Sequence, residues 1–168
     1  MADISAALAA NHDAVRDLIA AAERSGGAWA TPRAPGKWSP CQVVEHVALC
    51  LEESANVVSG APSKAPSLPT VLRPLVRALF FNRILKKNAF PTGYKASKAF
   101  NPASGPANPA AARVRLEAAV AAFDQACRAR ALGGMPVKST LWGTVSVEDY
   151  AWFQELHTRH HCKQMPGA

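Results

Sequence analysis

The chain has no C-x-x-C pair: its four cysteines, Cys41, Cys50, Cys127 and Cys162, are scattered. That spacing excludes a zinc knuckle or a redox dithiol, whose sulfurs begin close together in sequence. Uninterrupted apolar runs of about 20 residues are also missing, which excludes a transmembrane segment. The opening stretch MADISAALAANHDAVRDLIAA carries acids early and lacks the basic start and apolar run of a secretory signal. A cytoplasmic protein with reduced thiols is therefore expected. Charged residues make up only 18% and alanine is abundant, which favours helix over sheet. With 49% apolar residues, 168 residues suit a single domain, 1–168, with one sizeable core.

Acid is the most unevenly distributed commodity. Between Glu53 and Glu117 there is none, while the same interval holds Lys64, Arg73, Arg77, Arg83, Lys86, Lys87, Lys95, Lys98, Arg113 and Arg115. The rest of the chain is net acidic, although the whole carries +7. Such asymmetry would attract an anionic partner, or it is a solvated basic surface. No DNA-reading motif and no aromatic stacking platform accompanies the cations, so nucleic acid is the weakest partner.

Strand signals are nearly absent, and helical ones are clear. Residues 3–25 carry Ile4, Leu8, Val15, Leu18, Ile19 and Ala22 at helical spacing, with Asp3 as cap and Ser25-Gly26-Gly27 as stop. Ser39, Pro40 and Gln42 form a capping-box start for a helix over 40–59, with Trp38 before it as an anchor against the core. A helix over 70–88 tolerates Pro74 in its first turn. There Leu72, Leu75, Ala78, Leu79 and Leu85 form one apolar arc. The opposite arc mixes Arg73, Arg77, Arg83 and Lys87 with Val76, Phe80 and Ile84, which could cover another element, a partner subunit or a lipid surface. Residues 89–108 read as loop. Asn108-Pro109 starts a helix over 109–132 with Leu116, Val120, Phe123 and Cys127 as its buried stripe, and Ser146 caps a last one over 146–165. Four long helices with unequal connections predict an all-α four-helix bundle, with 70–88 as an extra helix in the long crossover.

Three of the five histidines crowd into His157-Thr158-Arg159-His160-His161. His157 and His161, four apart, share one helical face with β-carbons about 6 Å apart, close enough for two imidazoles to reach one metal ion. His46 interrupts the apolar run of the second helix and needs a partner if its face is buried. Alone, each is as well explained as a hydrogen-bonded histidine. Cys50, one turn from His46, is either a fourth ligand or a small core residue. Glu53 is the first candidate for a general base, since it shares His46's face, while Glu45 points elsewhere and Cys162 points away. His12 is an alternative ligand.

Two segments resemble the DinB-like superfamily. Trp38-Ser39-Pro40-x-x-Val43-x-x-His46-Val47 looks like its tryptophan and capped helix leading to a first histidine, and His157-x-x-His160-His161-x-x-Gln164 looks like its final-helix signature. Leu141-Trp142-Gly143-Thr144-Val145-Ser146 is similar to the lead-in of one branch. The resemblance implies a DinB-like four-helix bundle in which His46, His157 and His161 hold one divalent metal ion, zinc or nickel, supported by His160 and Gln164. It also implies a small-molecule substrate, in some members a low-molecular-weight thiol. Three imidazoles leave a coordination position open, which fits hydrolysis or thiol transfer. The alternative is a non-catalytic binding module, or a homodimer, using the basic crossover helix.

Overall fold

The computed structural model describes residues 4–93 and 96–166. Helix α1 (Ser5–Arg24) buries the expected stripe of Leu8, Val15, Leu18, Ile19 and Ala22. Its first turn follows Ile4 without a side-chain cap, and the expected cap Asp3 lies outside the described residues. Helix α2 (Pro40–Ser59) begins with the predicted box, in which the Ser39 N–H donates to Gln42 Oε1 at 3.0 Å. Its buried face holds Val43, Val44, Val47 and Leu51. Gly60, in the left-handed region at φ 83°, ends it.

The 70–88 segment is helical but not uniform. A 3₁₀ turn, Thr70–Leu72, leads into α3 (Arg73–Val76), then a π turn at Arg77–Phe81, then α4 (Asn82–Lys87). Of the mixed arc expected to cover another element, Ile84 does so. Phe81 and Ile84 face the core, and the purely apolar arc of Leu72, Leu75 and Leu79 faces solvent. The reason lies in the arginines of the mixed arc. Arg73 Nε donates to the Leu68 carbonyl at 2.9 Å and Arg77 Nη1 to the Thr144 carbonyl at 2.5 Å, so these cations serve as inward-facing donors to main-chain oxygens. Phe81 then stacks on Phe153, with centroids 5.0 Å apart.

Helix α5 (Pro109–Leu132) starts where predicted, with Asn108 Oδ1 accepting from the Ala111 N–H at 2.9 Å. Leu116, Val120, Phe123 and Cys127 are buried along it. A short antiparallel hairpin that the sequence reading missed, β1 (Val137–Ser139) and β2 (Gly143–Val145), pairs Val137 with Val145. Three residues per strand are too few to show alternation. Helix α6 (Val147–Cys162) is capped by Ser146, whose Oγ accepts from the Asp149 N–H at 2.9 Å.

Helix α2 packs chiefly along α5, and α1 along α6 and α5, while α4 lies on α6. Buried Asn11 ties α1 to α6 by donating through Nδ2 to the carbonyls of Ala7 and Ala151, both at 2.8 Å. Arg115 of α5 bridges Glu45 and Glu52 of α2, which is where Glu45 points. Each fully buried Leu or Phe contributes about 1.5–3 kcal/mol, against roughly 0–1 kcal/mol for an exposed ion pair. The apolar stripes therefore hold the helices together, and the half-buried Arg115 adds a link between α5 and α2. No helix among the described residues is long and apolar enough to cross a membrane.

Candidate metal centre

Where α2 meets α6, three imidazoles converge. His157 Nε2 lies 3.3 Å from His46 Nε2 and 3.1 Å from His161 Nε2. The three ring centroids are 4.6–5.2 Å apart. Helical geometry sets two of them on one face of α6, and the buried Val43–Val47 face of α2 aims the third across the gap.

The far sides of two rings fix which nitrogen carries the proton. His46 Nδ1 is 2.6 Å from the Phe100 carbonyl oxygen, which can only accept, so Nδ1 is the donor and Nε2 is a bare lone pair. His161 Nδ1 donates to Gln164 Oε1 at 3.0 Å, leaving its Nε2 bare as well. Gln164 is itself oriented by donating through Nε2 to His160 Nε2 at 3.1 Å. His160 and Gln164 thus stand behind the ligand candidates. The single proton that His157 Nε2 can carry would satisfy only one of two facing lone pairs. A cation satisfies all three.

The spacing also fits one. Zinc–nitrogen bonds of about 2.0–2.1 Å in a tetrahedron put neighbouring nitrogens about 3.3–3.4 Å apart, close to the two separations between these rings. Ligation needs neutral imidazoles, and burial supplies them. Desolvation lowers the pKa of His46, takes His157 well below the ordinary value of 6.5, and brings His161 down to about 3.

This depression predicts a pH dependence for the metal-free protein. Between pH 6.5 and about 3 the unfolded chain takes up a proton that folded His161 refuses. Its contribution to stability is therefore complete above pH 6.5 and declines as pH falls through that window. Urea denaturation in chelator should give a free energy lower by about 2 kcal/mol at pH 5 than at pH 7 from this ring alone. His161→Gln should flatten the slope.

Cys50 comes close without facing the same point. Its Sγ is 3.7 Å from His46 Nε2 and 4.0 Å from Nδ1, and it groups with His46 and His157 within 4.8 Å. A sulfur sharing an ion with Nε2 would stand ahead of that lone pair, about 5 Å or more from Nδ1 given the usual bond lengths. Near-equal distances to both nitrogens place this sulfur beside the ring. Burial, with Glu53 nearby, pushes its thiol up to about 12. Cobalt-loaded protein should accordingly lack near-ultraviolet thiolate-to-cobalt absorption, and Cys50→Ala should retain the ion. A charge-transfer band lost in Cys50→Ala would make the sulfur a ligand.

Glu53, the expected base, is engaged elsewhere. Its Oε2 accepts from Ser63 Oγ at 2.9 Å and the Lys64 N–H at 2.7 Å, and its Oε1 from Asn56 Nδ2 at 3.4 Å, so it fastens the loop after α2. His12, the alternative ligand, pairs with Asp124 at 3.2 Å. Cys162 turns to the Ala14 carbonyl, away from the rings.

Three neighbours of the site were not named as such by the sequence. Trp38 packs on His46 and His161, with centroids 4.6 and 6.1 Å apart, and donates to Asn101 Oδ1 at 3.1 Å. Phe90 abuts His157 and His160 at 5.2 and 5.9 Å. The Phe100 carbonyl closes the far side of His46. Trp38 was visible as an anchor before the cap. The other two come from the loop over 89–108, whose return across α2 leaves no local signal.

Fold and cluster together define a mostly helical protein with a histidine-lined site between two helices. The chain belongs to the DUF1569 family, described as protein of unknown function, whose model matches residues 6–167. No curated protein and no solved structure matches it.

Proposed function

We propose that this chain is a DinB-like four-helix bundle and a divalent-metal-dependent enzyme acting on a small molecule by hydrolysis or thiol transfer. The observation that carries the reading is that His46 Nε2 and His161 Nε2 lie 3.3 and 3.1 Å from His157 Nε2, with His46 and His161 held at Nδ1 by the Phe100 carbonyl and Gln164. Buried acceptors aimed at one another are costly unless something positive lies between them. Zinc or nickel suits neutral imidazole donors. When bound, such an ion supplies Lewis acidity towards a water or a thiol.

The chain's own residues do the rest. His46, His157 and His161 leave a coordination position for the reacting group. Phe100 and Gln164 fix the ring orientations, the role that outer hydrogen bonds commonly play at such sites. Trp38 and Phe90 pack against the rings, and this apolar surrounding suits a substrate with an apolar portion beside its reacting atom. With Glu53 committed to the loop, no carboxylate is offered as base by that residue. This favours substrates whose acidity is raised by the ion itself, a low-molecular-weight thiol among them.

Metal analysis of untagged protein tests the reading. Near one equivalent of zinc or nickel in the native chain, lost in His46→Ala and in His157→Ala, supports it. A chain that takes up neither ion overturns it.

A further inference from the structure

The 70–88 segment carries four exposed aliphatic side chains that the histidine site does not use. Val71, Leu72, Leu75 and Leu79 are 84%, 44%, 57% and 56% exposed. They continue along the same helical side into Asn82, Arg83 and Lys86, with Lys87 beside them, all solvent-facing. Ala78, Leu79, Asn82, Arg83, Lys86 and Lys87 line a shallow depression of about 510 Å³. Among the described residues, none of these three cations makes an ion pair, and the sequence has no acid between Glu53 and Glu117 to neutralise them.

We propose that this face docks on an anionic lipid bilayer, with Val71, Leu72, Leu75 and Leu79 entering the acyl boundary and Arg83, Lys86 and Lys87 meeting lipid phosphates. Charge selects the occupant. A second copy would bring the same cations against this face, and like charges repel without an acid to intervene. A nucleic acid would answer the cations but leave four aliphatic side chains against a polar backbone. A bilayer of acidic lipid answers both halves, since its interface offers apolar depth and negative surface together. Phe81 and Ile84, on the inner side of the segment, pack into the core, where Phe81 meets Phe153 and Phe153 meets Phe90 beside His157. Docking itself requires no bound ion, so it stands apart from the enzymatic reading.

Flotation of the full chain with phosphatidylcholine vesicles, with and without a third of the lipid as phosphatidylglycerol, tests this. Partitioning should be at least tenfold stronger on the acidic vesicles and should fall with salt. Arg83→Glu/Lys86→Glu/Lys87→Glu should lower it about a hundredfold or more, and Leu75→Ser/Leu79→Ser at least tenfold, each with unchanged melting temperature because the altered side chains are exposed. Equal partitioning on the two vesicle types, or none, overturns the proposal. So does a dimer by light scattering that Leu75→Ser/Leu79→Ser dissociates, which would give the face to a second copy.

Discussion

Replacing His157 with alanine is expected to abolish metal uptake and the thermal stabilisation that zinc or nickel gives the native chain. A ligand that binds only the folded state stabilises it in proportion to the logarithm of its excess over Kd, reaching about 4 kcal/mol at a thousandfold excess. In a domain of this size each kcal/mol moves Tm by about 2–4 °C. The native protein should therefore melt roughly 8–16 °C higher with saturating ion, and His157→Ala should show no shift. His157 is the right residue to remove because its Nε2 is the common neighbour of the other two, at 3.3 and 3.1 Å. His46→Ala and His161→Ala should behave alike, whereas Glu53→Gln should keep the full shift. A native chain with no thermal response to either ion would count against the metal reading as a whole. A response that survives His157→Ala would move the binding elsewhere.

Gly105→Ala is expected to have the next largest effect, and it acts through the loop. A β-carbon there would stand 2.0 Å from the Cys41 carbonyl oxygen and 2.4 Å from its carbon, a clash with helix backbone that no rotamer change relieves. The loop must lift away, at a cost of about 1–3 kcal/mol for overpacking, seen as a fall in Tm. The same displacement should loosen Gln42, whose Nε2 donates to the carbonyls of Pro102 and Ala103, and the Phe100 carbonyl that orients His46. Loss of an orienting partner commonly weakens metal affinity about 10–100-fold. Isothermal titration with zinc on Gly105→Ala should show that loss, with Ser104→Ala, an exposed neighbour, as the unaffected control. Unchanged affinity and melting in Gly105→Ala would mean that the loop does not bear on the ring.

Much of this was legible in the residues because local rules governed it. The stripe Leu8–Val15–Leu18–Ile19 and the stripe Leu116–Val120–Phe123–Cys127 follow helical period, and both are buried. The caps at Ser39, Asn108 and Ser146 are side-chain signals within four residues of what they cap. His157 and His161 were readable for the same reason. His46 was readable only as an anomaly in an apolar run, given a partner by resemblance. What failed was non-local. In the 70–88 segment both arcs carry apolar residues, so period alone leaves the inner side open, and Arg73 and Arg77 settle it by reaching main-chain acceptors elsewhere in the fold. Glu53 shares a face with His46 by period, yet the loop at Ser63 and Lys64 captures it. The hairpin was too short to leave a pattern.

One partner of the site has an unusual immunity. The group that sets the proton on His46 is a main-chain oxygen, which residue 100 keeps whatever side chain it bears. Point substitution at that position cannot delete the acceptor, so drift in the loop's sequence is buffered as long as its path is kept. The tautomer of the ring is thereby inherited from the course of the chain.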